Sequence, residues 1–174
     1  MLTWGETKRL LSKYTDRKFG STSVGANLAW LDFENADLQG ANLSLVDLQG
    51  TNLMHANLAG AYLVDAKMQG ANLQGANFVG ANLHRAFLWG ADLRNANLWG
   101  ADLRHAMLQD ANLSGARLDG ANLSSAVLYG ANLDGTGIIP FKGSKDFAFY
   151  LPWQRYIKIG CVGLPVSESL EVYQ

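Results

Sequence analysis

Ala71–Gly90 reads ANLQGANFVGANLHRAFLWG, and the reading of its four five-residue phrases decides the fold. The phrase A-(N/D)-L-x-x runs unbroken from Ala26 to Leu133. Its centres fall at Leu28, Phe33, Leu38, Leu43 and every fifth residue to Leu133, 22 in all. Nineteen are Leu; Phe33, Met68 and Phe78 are the others, so the centre is uniformly large and apolar. Two residues earlier stands Ala in 19 cases, with Leu31, Val46 and Thr51 as exceptions. Immediately before the centre stands Asn or Asp in 16. A period of five suits neither regular element. On an α-helix five residues advance about 140° past a full turn, which smears the Leu round the cylinder. On a strand, successive Leu point to opposite faces. They share one interior only if the chain turns a corner in every phrase and climbs one strand spacing per circuit, which describes a β-solenoid.

The number of sides is legible in what varies. Two residues after the centre, Gly occupies 40, 60, 80, 100 and 120, and again 50, 70, 90 and 130. That ten-residue recurrence implies an even number of sides. Four of the six exceptions at the Asn/Asp position (Lys67, Phe87, Met107 and Val127) are spaced by 20. Four phrases per circuit put these side chains in one vertical column, so the coil is square.

From about residue 26 to 136 the chain resembles the pentapeptide-repeat family. The resemblance implies a right-handed quadrilateral β-helix. Twenty-two phrases make about five and a half coils, roughly 26 Å of rod at about 4.8 Å per coil. Leu and Ala are expected inside, the other three positions outside, with each turn needing its neighbours for burial. Stacked Asn52, Asn72 and Asn112 are expected to form a hydrogen-bonded ladder. The division is 1–25 as an amino-terminal helical cap, 26–136 as the coil, and 137–174 as a carboxyl-terminal capping or association segment.

The 174 residues make one domain with appendages. No apolar run is long enough to span a bilayer. The start, MLTWGETKRLLSKYTDRKF, has no apolar core of a secretory signal, and Cys161 has no second cysteine to pair with. Both readings favour the cytoplasm. Net charge is −1, distributed as +3 over 1–25, −5 over 26–136 and +1 over 137–174. No segment demands nucleic acid or a membrane.

Glu6 to about Arg17, with Leu10, Leu11 and Tyr14, predicts a short amphipathic helix capping the first coil, or a basic surface of Lys8, Arg9, Lys13, Arg17 and Lys18. After Gly135, Ile138 keeps the register once more and Pro140 ends it. Phe141–Tyr156 is rich in aromatics, Tyr156–Val162 alternates like a strand, and Leu164–Tyr173 suits a final helix. Family members that act on topoisomerases commonly dimerise through the carboxyl end, so the resemblance leaves a homodimer open.

Function has to reside on the outward positions. One face gathers Phe87, Met107 and Val127 before the centres and Trp89 and Tyr129 after them, an apolar stripe that suits a protein contact. Asn27 and Asp47 continue its column towards the amino end. The plain alternative is cover by the chain's own tail. A second face gathers His84, Arg85, Arg104 and His105 beside Asp65, Asp102 and Tyr62. Two His approach on adjacent turns, but the Arg neighbours oppose a cation and no third ligand is evident, so no metal is expected. His55 stands alone at another corner.

No catalytic motif is present, and the Asp before the centres alternate freely with Asn, which marks them as structural. Leu and Ala leave no room for a small-molecule pocket. The expectation is a non-enzymatic interaction scaffold without cofactor, membrane or direct nucleic-acid contact. The resemblance supplies an alternative: some members mimic duplex DNA, bind DNA gyrase or topoisomerase IV, and confer fluoroquinolone tolerance. Mimicry needs a dense acidic surface in place of phosphates. Here the coil is only −5, and Arg85, Arg94, Arg104 and Arg117 interrupt it.

Overall fold

The computed structural model describes residues 25–140 and 149–150. Every isolated bridge from Asn27 to Asn132 joins residue i to i+20 in parallel, including Lys67 to Phe87, Phe87 to Met107 and Met107 to Val127. One circuit therefore takes four phrases, and the coil has four walls. The residues before the centres name them. The first wall carries Asn27, Asp47, Lys67, Phe87, Met107 and Val127, and the second Asp32, Asn52, Asn72, Asp92, Asn112 and Asn132. The third carries Asp37, Asn57, Asn77, Asn97 and Arg117, and the fourth Asn42, Tyr62, Asn82, Asp102 and Asn122.

Each phrase has five backbone N–H groups to satisfy, and the phrase around Leu88 shows where they go. Phe87 N donates down to Ala66 O at 2.9 Å, while Leu88 N and Gly90 N donate up to Met107 O and Gln109 O at 2.7 and 2.8 Å. Ala86 N closes the preceding turn onto Leu83 O at 3.0 Å. The third residue of each turn, from Trp30 to Gly135, has φ between +55° and +72°, the left-handed conformation that a type II turn requires there. Hence glycine dominates that position.

The fifth N–H belongs to the residue after the centre and has no carbonyl above it. Asn or Asp supplies the missing acceptor: Asn72 Oδ1 accepts from Gln74 N at 3.3 Å and Asp102 Oδ1 from Arg104 N at 3.1 Å. Each of the sixteen Asn/Asp residues at this position makes this bond. Both side chains carry the same Oδ1, which explains why they interchange.

Centres and Ala fill the interior. Leu63, Met68, Leu73, Phe78 and Leu83 are wholly buried, each contributing about 1.5–3 kcal/mol. Of the exceptions at the Ala position, Val46 and Thr51 are buried and Leu31 is partly buried. Thr51 satisfies its hydroxyl by donating to Leu48 O at 2.8 Å. Thr136 repeats that bond to Leu133 O at 2.6 Å, and Ile138 is buried in register, as its spacing predicts. Beyond it, β1 (Ile139–Pro140) pairs antiparallel with β2 (Phe149–Tyr150), a hairpin the sequence pattern does not announce.

The expected asparagine ladder needs one correction. Asn72 Nδ2 donates to Asn52 Oδ1 at 3.1 Å, and Asn52 Nδ2 to Asp32 Oδ1 at 3.0 Å. Asn112 does not extend it. Its neighbour one coil earlier is Asp92, whose carboxylate holds the Arg94 guanidinium and has no N–H to pass on. A ladder of the same kind stands on the third wall, from Asn77 through Asn57 to Asp37. The expected helix at 6–17, its basic residues, Cys161, and the expected strand and helix near the carboxyl end lie outside the described residues. Among the described residues no helix is long and apolar enough to cross a membrane.

Candidate functional site

The first wall brings together all five residues singled out from the sequence. Phe87, Met107 and Val127 are successive bridge partners, and Trp89 and Tyr129 sit one position past the centres of two of the same phrases. Trp89 is 50% exposed and Tyr129 69%, while Met107 and Val127 stand near 40%. Phe87 is only partly exposed, lying in the column between Lys67 and Met107.

Replacing Asn or Asp by Lys67, Phe87, Met107 and Val127 has a second effect. It removes the acceptor from the backbone N–H of Gln69, Trp89, Gln109 and Tyr129, none of which bonds to a described residue. Four consecutive coils of this wall therefore pair an altered side-chain column with a column of uncapped donors. Gln69 and Gln109, one coil either side of Trp89, also keep a buried Oε1 without a donor. Buried polar atoms without partners are uncommon, so their clustering here sets this wall apart.

The fourth wall and its following corner form a different group. That corner column runs Leu45, Asp65, Arg85, His105 and Ser125, all at positive φ and none of them glycine. Half of the ten non-glycine turn residues lie in this one column, whereas the corner after the third wall is glycine at 40, 60, 80, 100 and 120. Left-handed backbone costs a non-glycine residue roughly 1–2 kcal/mol, and such strain concentrates at functional positions. Arg85 Nε pairs with Asp65 at 3.0 Å. Arg104 forks onto Asp102 at 2.7 and 2.8 Å. The Arg104 hydrogen bonds hold the Asp102 carboxyl below its usual range, helped by the proximity of His84, and Arg94 does the same to Asp92. His84 and His105 meet edge to face with ring centres 5.4 Å apart. The sequence reading placed these residues together, and they are together. His55 lies at the corner after the second wall, its ring over Gly75.

Several exposed residues escaped the sequence reading, which sorted the walls by exceptions before the centre. Trp30, 76% exposed, occupies a left-handed corner of the first wall with its ring over Gly50. Trp99 stands at the corner after the third wall, and Leu45 at that after the fourth. The signal was available: each belongs to a turn position where the repeat otherwise favours glycine or a polar residue.

A family model described as pentapeptide repeats matches the chain in eight copies, over residues 24–60, 61–100, 71–108 and 106–136. No curated protein matches. Among solved structures, HetL, a pentapeptide repeat protein involved in heterocyst differentiation regulation from the cyanobacterium Nostoc sp. strain PCC 7120, is 34% identical with a TM-score of 0.46. The alignment covers 63% of this chain and 62% of HetL. A pentapeptide repeat protein from the Arabidopsis thaliana thylakoid lumen is 33% identical with a TM-score of 0.43, over 55% of this chain and 63% of its own. The chain thus spans less than two thirds of the length of either.

Proposed function

Because the chain belongs to the pentapeptide repeat family, we propose that it acts without catalysis, as a scaffold whose first wall docks a protein partner. The contact residues are Phe87, Trp89, Met107, Val127 and Tyr129. The observation that carries this reading is the coincidence on one wall of large exposed apolar side chains and four uncapped backbone donors. Aromatic residues anchor protein interfaces, and unsatisfied donors beside them give a partner's carbonyls a register to match. On this proposal the coil makes about five and a half right-handed turns, closed by 1–25 and 137–174, because an open solenoid end exposes its core. The partner, or a second copy of the chain, adds to the first wall and leaves the other three free.

The test replaces Phe87, Met107 and Val127 together by Asp. Mass by light scattering follows self-association, and pull-down from the native cell, with reconstitution from purified components, follows a partner. The proposal expects the association to weaken at least tenfold while the coil still folds. An association of unchanged strength removes the first wall from consideration.

The DNA-mimic reading draws less support from this surface. Asp65, Asp92, Asp102 and Asp119 are each ion-paired to an arginine, which thins the free negative charge that would replace phosphates. A supercoiling assay decides it: inhibition or drug protection at micromolar protein would restore that reading.

A further inference from the structure

Given a docking surface on the first wall, we propose that its occupant is a second copy of this chain, laid face to face with the two rods antiparallel. The apolar residues of the wall are spread evenly about one coil. Phe87 and Trp89 lie one coil before Met107, and Val127 and Tyr129 one coil after it. A two-fold axis along the strand direction at Met107 sets Met107 against Met107 of the second copy, Phe87 against Val127 and Trp89 against Tyr129. An isologous contact requires this self-complementarity. The pitch fits as well. Each bridge of the wall joins residues 20 apart, so its side chains stack at one strand spacing, about 4.8 Å. A second copy repeats that spacing, and all three levels meet at once.

Charge selects the direction. Before the apolar coils the same column carries Asp47 and the exposed Lys67. Parallel rods would bring each to the level of its own counterpart, like charge beside like charge, which is unfavourable. Antiparallel rods leave Lys67 beyond Val127 of the second copy, at the margin of the contact. Asp110 is the one charged residue in the three apolar phrases 86–90, 106–110 and 126–130. It stands at the corner, on the rim, with Oδ1 over Gly130. Because the rods oppose, its carboxylate and that of the second copy lean apart along them, and salt screens what repulsion remains.

The area sets the strength. Trp89 is 50% exposed, Tyr129 69%, Met107 38% and Val127 39%. An aromatic side chain covers about 150–250 Å², so the stripe offers roughly 400 Å² per copy. With Gln109 and the intervening backbone, the two walls together remove about 1,000 Å² from water, below the ~1,200–2,000 Å² of stable interfaces. The dimer is therefore weak and reversible, half formed at roughly 10–500 µM.

Sedimentation equilibrium of the unaltered full chain, from about 1 µM to 1 mM, should show monomer and dimer in exchange. Phe87→Asp combined with Val127→Asp should weaken the dimer at least tenfold. Trp30→Asp, at a corner of the same wall outside the overlap, should leave it unchanged. A short bis-maleimide, suited to walls stacked about 10 Å apart, reads the direction in a Cys161→Ser background. Met107→Cys should link to itself across the axis, and Phe87→Cys to Val127→Cys when the two variants are mixed, whereas Lys67→Cys should not link to itself. A monomer throughout the range, Lys67→Cys linking as readily as Met107→Cys, or loss of the dimer in Trp30→Asp would each overturn the proposal. A monomeric chain that still captures a different protein through Phe87, Met107 and Val127 removes the second copy and keeps the docking surface. Failure of both measurements removes both.

Discussion

Gly80 isolates the cost of the square corner. It has φ +63°, and a Cβ added there meets nothing within 4 Å, so substitution perturbs the backbone conformation and little else. Left-handed backbone costs an L-residue about 1–2 kcal/mol, less for Asn and more for a β-branched side chain. Over the 113 residues from 24 to 136 that the repeat spans, an unfolding entropy of about 2.1 cal/mol/K per residue converts this into a fall in Tm of roughly 4–8 °C for Gly80→Ala. Gly80→Asn should lose less, since Asn35 and Asn95 already occupy such corners, and Gly80→Val should lose most. Calorimetric melting of the three variants beside the unaltered chain reads the order directly. If Gly80→Ala melts with the unaltered chain, or Gly80→Val is no worse than Gly80→Asn, the corner conformation is not what selects glycine.

Other consequences follow from burial and charge. Leu103 is wholly buried in a stack with Leu83 and Leu123, so Leu103→Ala should destabilise by about 2–5 kcal/mol in urea unfolding. The same change at the more exposed Leu133 should cost visibly less. Acid should weaken the coil through Asp92 and Asp102. Both carboxyls titrate below the ordinary value of 3.8 because Arg94 and Arg104 bond their charged forms. Their contribution is therefore present above that value and lost as pH falls through the depressed ones. The effect is small for pairs this accessible. Melting curves between pH 5 and 2 should flatten when both are replaced by Asn, which keeps the acceptor for the turn.

The fold was legible because its grammar is binary. A large apolar centre and a small neighbour at a period of five admit one arrangement, and the column Lys67, Phe87, Met107, Val127 sets the circuit length. The reason for Asn and Asp was less legible. Their recurrence announces a structural role, but the unpaired N–H that they cap appears only once the turn exists. The same gap hid what Phe87, Met107 and Val127 remove as well as what they add. The failure of the ladder at Asn112 depended on Asp92 choosing Arg94, a side-chain contact with no periodic signature. Trp30 and Leu45 stand out in the sequence at a turn position that otherwise favours glycine or a polar residue, but the positive φ they hold there shows only in the folded turn. The β1–β2 hairpin is two residues a side, too short to leave a pattern.

Cysteine pairs test the circuit itself. Strand neighbours about 4.8 Å apart lie within the span a disulfide accepts. In a Cys161→Ser background, Phe87→Cys with Met107→Cys should oxidise to an intramolecular disulfide under mild conditions. Phe87→Cys with Asn97→Cys should stay reduced, because ten residues on is the opposite wall. A link between 87 and 102 in place of 87 and 107 would mean three sides per circuit, and the first wall as described would not exist.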